Sequence, residues 1–242
     1  MATSGVVNPF FRKTKIVFLI LLVWVVWFLA WLNFRVMPAP WPPFYWALPL
    51  HGRVVAADTQ APLEGVVVVA YWELRGPWGI SRGSLAVMES VTTKEGNFAF
   101  SWWHPRLRSP LAGFLESNAP RLVFFKSGYE WESCSDPRSS PNLNPFPTSD
   151  CNGVIAHLRK FEGTDKEYAK HLGFLSTSLN PVASLARNCE WTQIPRMVAA
   201  LIHEENRFKK KRIDNDLPSL ETFSSQNWCG SAEKVFRRYL SS

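Results

Sequence analysis

With 242 residues the chain has room for an anchor and one or two compact units, since domains usually run to about 100 to 150 residues. At 46% hydrophobic and 19% charged it is too apolar for a disordered chain, and 18 prolines, 13 glycines and 12 tryptophans describe a loop-rich folded protein. The net charge of +7 draws on Arg12, Lys13 and Lys15 beside the first apolar run, so it does not by itself imply a nucleic-acid partner.

Residues 1–15 form a short basic N-terminus. From Ile16 to Leu32 the sequence reads IVFLILLVWVVWFLAWL without a charge, and Asn33, Phe34 and Val36 extend the run. Residues 16–36 are therefore expected to be a transmembrane signal anchor. A cleaved signal peptide competes with that reading. The length of the run, Trp24, Trp27 and Trp31 within it, and the lack of a small-x-small site after it favour retention. Arg12, Lys13 and Lys15 outnumber Arg35, which places the N-terminus in the cytoplasm and the bulk of the chain in the periplasm of a single-pass inner-membrane protein. The tryptophan stripe reads as lipid contact or as a helix-pairing face. Residues 37–49 are a Pro/Trp-rich stalk. Pro38, Pro40, Pro42 and Pro43 hold it extended, and Trp41, Phe44, Tyr45 and Trp46 suit the headgroup layer.

Residues 50–161 change to short β-rich runs separated by turn residues. His51 to Ala57 is the first predicted strand. Gly65 to Leu74 contains VVVVAYW, apolar on both faces, which marks a central strand between two covering layers. Val87 to Thr92 leads through Lys94, Glu95 and Gly96 into Phe98, Phe100 and Trp102, whose period of two points three rings one way. Leu122 to Lys126 and Val154 to Arg159 complete the set. Gly96 and Gly128 stand where tight turns need positive φ.

The order Gly52-Arg53-Val54, Pro62-Leu63-Glu64-Gly65-Val66-Val67-Val68, Thr92 with Gly96, Phe98 and Phe100, and Lys126-Ser127-Gly128-Tyr129 resembles the carboxypeptidase regulatory-like domains, which have a prealbumin-type (transthyretin-like) sandwich. Thr93 stands where those domains often carry Asp, and Ser127 where Pro is usual. The resemblance covers roughly Leu50 to Phe161. It implies an accessory or structural module without catalytic residues of its own. The expected class is then mainly β: a prealbumin-like antiparallel β-sandwich with an N-terminal transmembrane helix and a C-terminal α-helical extension. Three inserts lengthen it, Arg75 to Ser84, Trp103 to Pro120 and Trp131 to Asp150. Their Trp78, Trp103, His104 and Trp131 are candidate ligand contacts, or covers for the sandwich ends.

Cys134, Cys151, Cys189 and Cys229 are an even number without C-x-x-C spacing, which suits two disulfides in an oxidising space. Three pairings are open, and four buried free thiols are the bland alternative. Cys134 with Cys151 and Cys189 with Cys229 is the pairing that closes a loop within each predicted unit.

Residues 162–242 turn helical. Thr164 and Glu167 have capping-box spacing, with Tyr168, Leu172 and Leu175 following on one face. Asn180-Pro181 starts a short helix. Ile194, Met197, Val198, Leu201, Ile202 and Phe208 form the clearest apolar stripe, and Ser231 can cap a last helix carrying Val235, Phe236, Tyr239 and Leu240. Lys209, Lys210, Lys211 and Arg212 cluster at a helix C-terminus. They are either a solvated end that suits the macrodipole or a contact for an anionic surface.

His203-Glu204-Glu205 begins like a zinc-protease helix, but the second histidine is replaced by Arg207. His51, His104, His157, His171 and His203 lack metal-ligand spacing, and neither a G-x-S-x-G nor a phosphate-binding glycine loop occurs. The sequence thus predicts no catalytic residues, no metal and no cofactor. It predicts a non-enzymatic, membrane-anchored envelope protein whose exported sandwich acts as a structural or protein-interaction module, its partner an envelope protein or a cell-wall component and not nucleic acid. A module that binds a cell-wall glycan or peptide through the tryptophan loops is the alternative, and an envelope enzyme the third reading.

Overall fold

The computed structural model describes residues 18–29, 44–107, 113–115, 119–135, 149–183, 189–224 and 229–240. The chain divides into two compact units, Met1–Trp41 and Pro42–Ser242. In the first unit the described residues are a single helix, α1 (residues 18–29), apolar and exposed along its length. No helix among the described residues is long and apolar enough to cross a membrane. The expected transmembrane anchor at 16–36 and the single-pass inner-membrane placement that rested on it are corrected accordingly. Trp31, Arg35, Pro38, Pro40, Trp41, Pro42 and Pro43 lie outside the described residues.

The second unit starts inside the expected stalk, where β1 (Phe44–Ala47) pairs antiparallel with β6 (Trp103–Leu107) as a two-stranded ribbon. Tyr45, Ala47 and Trp103 turn inward from that ribbon, while Trp46 and His104 face out. A three-stranded sheet follows, in the order β10 (Val154–Leu158), β2 (Leu50–Ala56), β5 (Asn97–Phe100). Here β10 runs parallel to β2, where an all-antiparallel sandwich was expected. The larger sheet has the order β4 (Ser81–Val91), β3 (Val67–Arg75), β8 (Arg121–Phe125), β9 (Glu132–Cys134), with β7 (Phe114–Leu115) paired to the end of β3. The three rings expected on one side are only two: Phe98 and Phe100 are buried, but β5 ends at Phe100 and Trp102 is exposed.

The central position of β3 follows from its composition. β-Branched and aromatic residues fit a pleated surface, and an uninterrupted apolar run leaves neither face able to meet water. Val68, Ala70, Trp72 and Leu74 enter the space between the two sheets with Val54, Phe98, Leu122, Phe124 and Leu158. Val67, Val69 and Tyr71 point the other way, with Val123 and Phe125 of β8 beside them.

That second face is covered by helices: α2 (Asp165–Ser178), α3 (Asn180–Ala183), α4 (Pro195–Lys210), α5 (Leu220–Ser224) and α6 (Ala232–Leu240). Leu172, Leu175, Met197, Val198, Leu201, Ile202 and Phe208 fill it, and the rings of Trp191, Phe223 and Phe236 meet at 5.4 to 5.7 Å between centroids. Such ring pairs add about 0.5 to 1.5 kcal/mol each beyond the area they bury. Of the described residues, 31% are strand and 38% helix, so the class is mixed α/β and the expectation of a mainly β protein is corrected. The reason lies in the two-faced sheet, which needs a helical layer of its own size to exclude water.

The two disulfides are Cys134–Cys151 and Cys189–Cys229, spanning 17 and 40 residues. The first joins the β9 edge to the turn before β10, and the second holds the approach to α4 against the approach to α6. Chain-entropy arguments give a closed loop of the shorter length about 3 kcal/mol.

Candidate functional site

Two helices of the outer layer, α4 and α6, converge on the loop after β8 and leave an open groove of about 710 Å³ between them. The size is that of pockets that hold small molecules or short peptide segments, about 300 to 1,000 Å³. Arg196, Ala199, Ala200 and His203 line it from α4, Arg238, Tyr239 and Leu240 from α6, and Ser127 from the loop. On α4 these residues recur at three and four, so they share one helical face, with two alanines forming the floor between an arginine and a histidine.

Each wall is fixed by contacts of its own. The N-terminus of α4 has no side-chain cap on Ile194, and its free N–H groups are met instead by Glu89 of β4: Arg196 N–H donates to Oε2 at 3.1 Å and Met197 N–H to Oε1 at 2.7 Å. One strand residue thus supplies from 107 positions away what a helix usually finds next door. Burial pushes the Glu89 carboxyl above its ordinary value, against the pull of those two N–H donors and of the Arg196 charge. Helix α6 begins more conventionally, with Ser231 Oγ accepting from Lys234 N–H at 3.3 Å.

The loop carrying Ser127 is held by Glu204, a carboxylate only 1% exposed. Ser127 Oγ donates to Glu204 Oε1. Arg207 Nε lies 2.8 Å from Glu204 Oε2, an ionic contact in which neither atom completes an aligned hydrogen bond. Arg207 also reaches Asp165 at 3.5 Å and lies over the rings of Tyr168 and Phe208. Tyr168 Oη accepts from Gly128 N–H at 2.8 Å, and burial raises its hydroxyl to about 12. Ser127, His203 and Glu204 bring together residue types used in hydrolysis. Ser127 Oγ donates to one oxygen of Glu204 while Arg207 lies beside the other, and this pair of contacts fixes the loop.

The electrostatic result is a groove with positive walls. Glu89 is engaged by backbone N–H groups and Glu204 by Ser127 and Arg207, while among the described residues neither Arg196 nor Arg238 forms a salt bridge. Arg238 instead places its guanidinium carbon 4.7 Å from the centroid of the Tyr239 ring, a cation–π contact.

The candidate residues read from the sequence are dispersed. Trp78 is 94% exposed, in a left-handed conformation within a short 3-10 turn at Pro77–Gly79. Trp103 is buried, 5.4 Å from Trp72 in an edge-on ring pair. His104 is exposed and packs against Trp102. Trp131 is half-buried and doubly bonded to His171: its backbone N–H donates to Nε2 at 3.1 Å and its indole N–H to the His171 carbonyl at 3.1 Å. In the basic cluster Lys209 and Lys210 close α4, Lys211 pairs with Asp165, and Arg212 takes a positive φ. The four cysteines form the two disulfides already described. Among the described residues no group of three or more histidines, cysteines or carboxylates could hold a metal ion.

Sequence reading did not single out the groove. One signal was present, the Arg196, Ala199, Ala200, His203 face, but nothing local to it says that α6 lies alongside. No protein-family model matches the chain, and no curated protein matches it.

Proposed function

We propose that the chain is a non-enzymatic interaction module of an oxidising compartment, in which the sandwich and its helical layer form a rigid frame and the α4–α6 groove receives a segment of another protein. The observation that carries this reading is the groove itself: open, of ligand size, floored by alanines, with the Arg196 backbone held by Glu89 and Ser127 held by Glu204. A preorganised site of that kind spends little free energy on ordering when it binds. The resemblance of residues 50–161 to carboxypeptidase regulatory-like domains supports an accessory role. The two disulfides support the compartment.

The test is selection of peptides from a random-sequence display library on the immobilised full chain, repeated with Ala200→Trp. That substitution places an indole in the groove, at a position partly buried against the helical core, so the thermal midpoint is followed alongside. Enriched sequences that lose binding to the variant, with its thermal midpoint unchanged, are the expected result. Enrichment indifferent to Ala200→Trp, or none at all, rejects the reading.

A further inference from the structure

Resting on that groove reading, we infer that its ligand is an acidic peptide segment, clamped by Arg196 from α4 and Arg238 from α6. Two carboxylates on the elements around the groove are already engaged. Glu89 spends both oxygens on the backbone N–H groups of Arg196 and Met197, and Glu204 is sealed behind Ser127 and Arg207. The cavity therefore holds two guanidinium groups and the His203 imidazole with no anion of the chain's own salt-bridged to either arginine among the described residues.

Guanidinium groups present planar forks of N–H donors that match carboxylates. The shape selects the class of anion. Two arginines on different helices, with Ala199, Ala200 and Leu240 between them, offer an apolar strip flanked by cations. A peptide with spaced Glu or Asp residues and small side chains between them meets both features, whereas an inorganic ion meets only one.

Arg237 supplies the internal control. It is adjacent to Arg238 on α6 but lies outside the groove and pairs with Glu233 at 3.8 Å, with most of its side chain in water. If binding only follows the overall charge of α6, the two arginines are equivalent.

The experiment titrates the full chain with a fluorescein-labelled decapeptide of alternating Glu and Ala, with its Gln-Ala counterpart, and with inorganic phosphate as competitor. The Glu peptide is expected to bind about tenfold or more tighter than the Gln peptide, and R196A or R238A to weaken it about tenfold each, the worth of one charge-assisted hydrogen bond. R237A should leave the affinity unchanged, and added salt should weaken binding. Equal binding of both peptides, each still blocked by Ala200→Trp, overturns the acidic class and leaves the groove reading standing. Failure of both peptides removes the clamp, and failure of the display selection as well removes the groove reading. A loss with R237A equal to that with R238A, or displacement by phosphate at concentrations comparable to the peptide's, overturns the clamp in favour of diffuse charge or a small-ion site.

Discussion

Glu89 and His171 show how single side chains hold the helical layer to the sheets, and both do so in a pH-dependent way. Removing the Glu89 carboxylate leaves two N–H groups at the start of α4 without an acceptor. Glu89→Ala is expected to lower stability by about 1 to 2 kcal/mol, read from the midpoint of urea unfolding. Because burial raises the native Glu89 carboxyl above its unfolded value, its contribution is full below the ordinary carboxylate range and is lost as pH rises through the raised native value. Glu89→Gln should flatten that part of the pH–stability profile, and an unaltered profile would refute the assignment.

His171 works in the opposite sense. Burial lowers its native value below the ordinary 6.5, despite the opposing charges of Glu130 and Glu132. Its contribution is present above the unfolded value and is lost as pH falls through the lowered one. Protonating Nε2 also removes the acceptor for the Trp131 N–H. His171→Phe keeps a ring against Phe161 and Tyr168, so the variant should lose less stability than the parent as pH falls below the ordinary histidine value in thermal melts.

Among the elements, the turn between β4 and β5 shows how local sequence becomes tertiary structure. Thr92, buried, donates its hydroxyl to Leu63 O at 2.6 Å and accepts from Val66 N–H at 2.8 Å, locking the Pro62–Gly65 turn onto the end of β4. Gly96 takes φ +77°, and a Cβ there would lie 2.4 Å from Val54 O. These are among the positions that carry the family resemblance, and their role here is structural. Thr92→Val keeps the shape but strands two buried backbone groups, for an expected loss of about 1 to 3 kcal/mol in urea midpoint experiments. If it proves neutral, the hydroxyl is not what holds the corner.

At the scale of the whole molecule, one sheet is shared by two interiors, and the helical one is built from strand and helix residues together. Val67, Val69, Tyr71, Val123 and Phe125 belong to the strands of the sandwich but are buried by the helices. A chain ending at residue 161 would expose all five as one apolar patch. Residues 42–161 alone are expected to associate or to bind the dye ANS, while residues 42–242 give a single cooperative melt without dye binding. A soluble, dye-silent 42–161 fragment would show that the sandwich is self-sufficient.

What could be read from the sequence is what depends on neighbours along the chain. The doubly apolar run of β3, the Thr164–Glu167 capping box, the amphipathic α4 and the Ser231 start of α6 all follow from periodicity and local hydrogen bonding, forces that act within a few residues. The pairing of the cysteines was narrowed in the same way, by loop closure. Tertiary structure alone decided the rest. The parallel placement of β10 against β2, the cap that Glu89 lends to α4, the burial of Trp103 and the placement of Arg196 and Arg238 in one groove join residues tens to more than a hundred positions apart. Such contacts depend on how two finished surfaces fit together, and a pattern confined to one segment carries no trace of the surface it will meet.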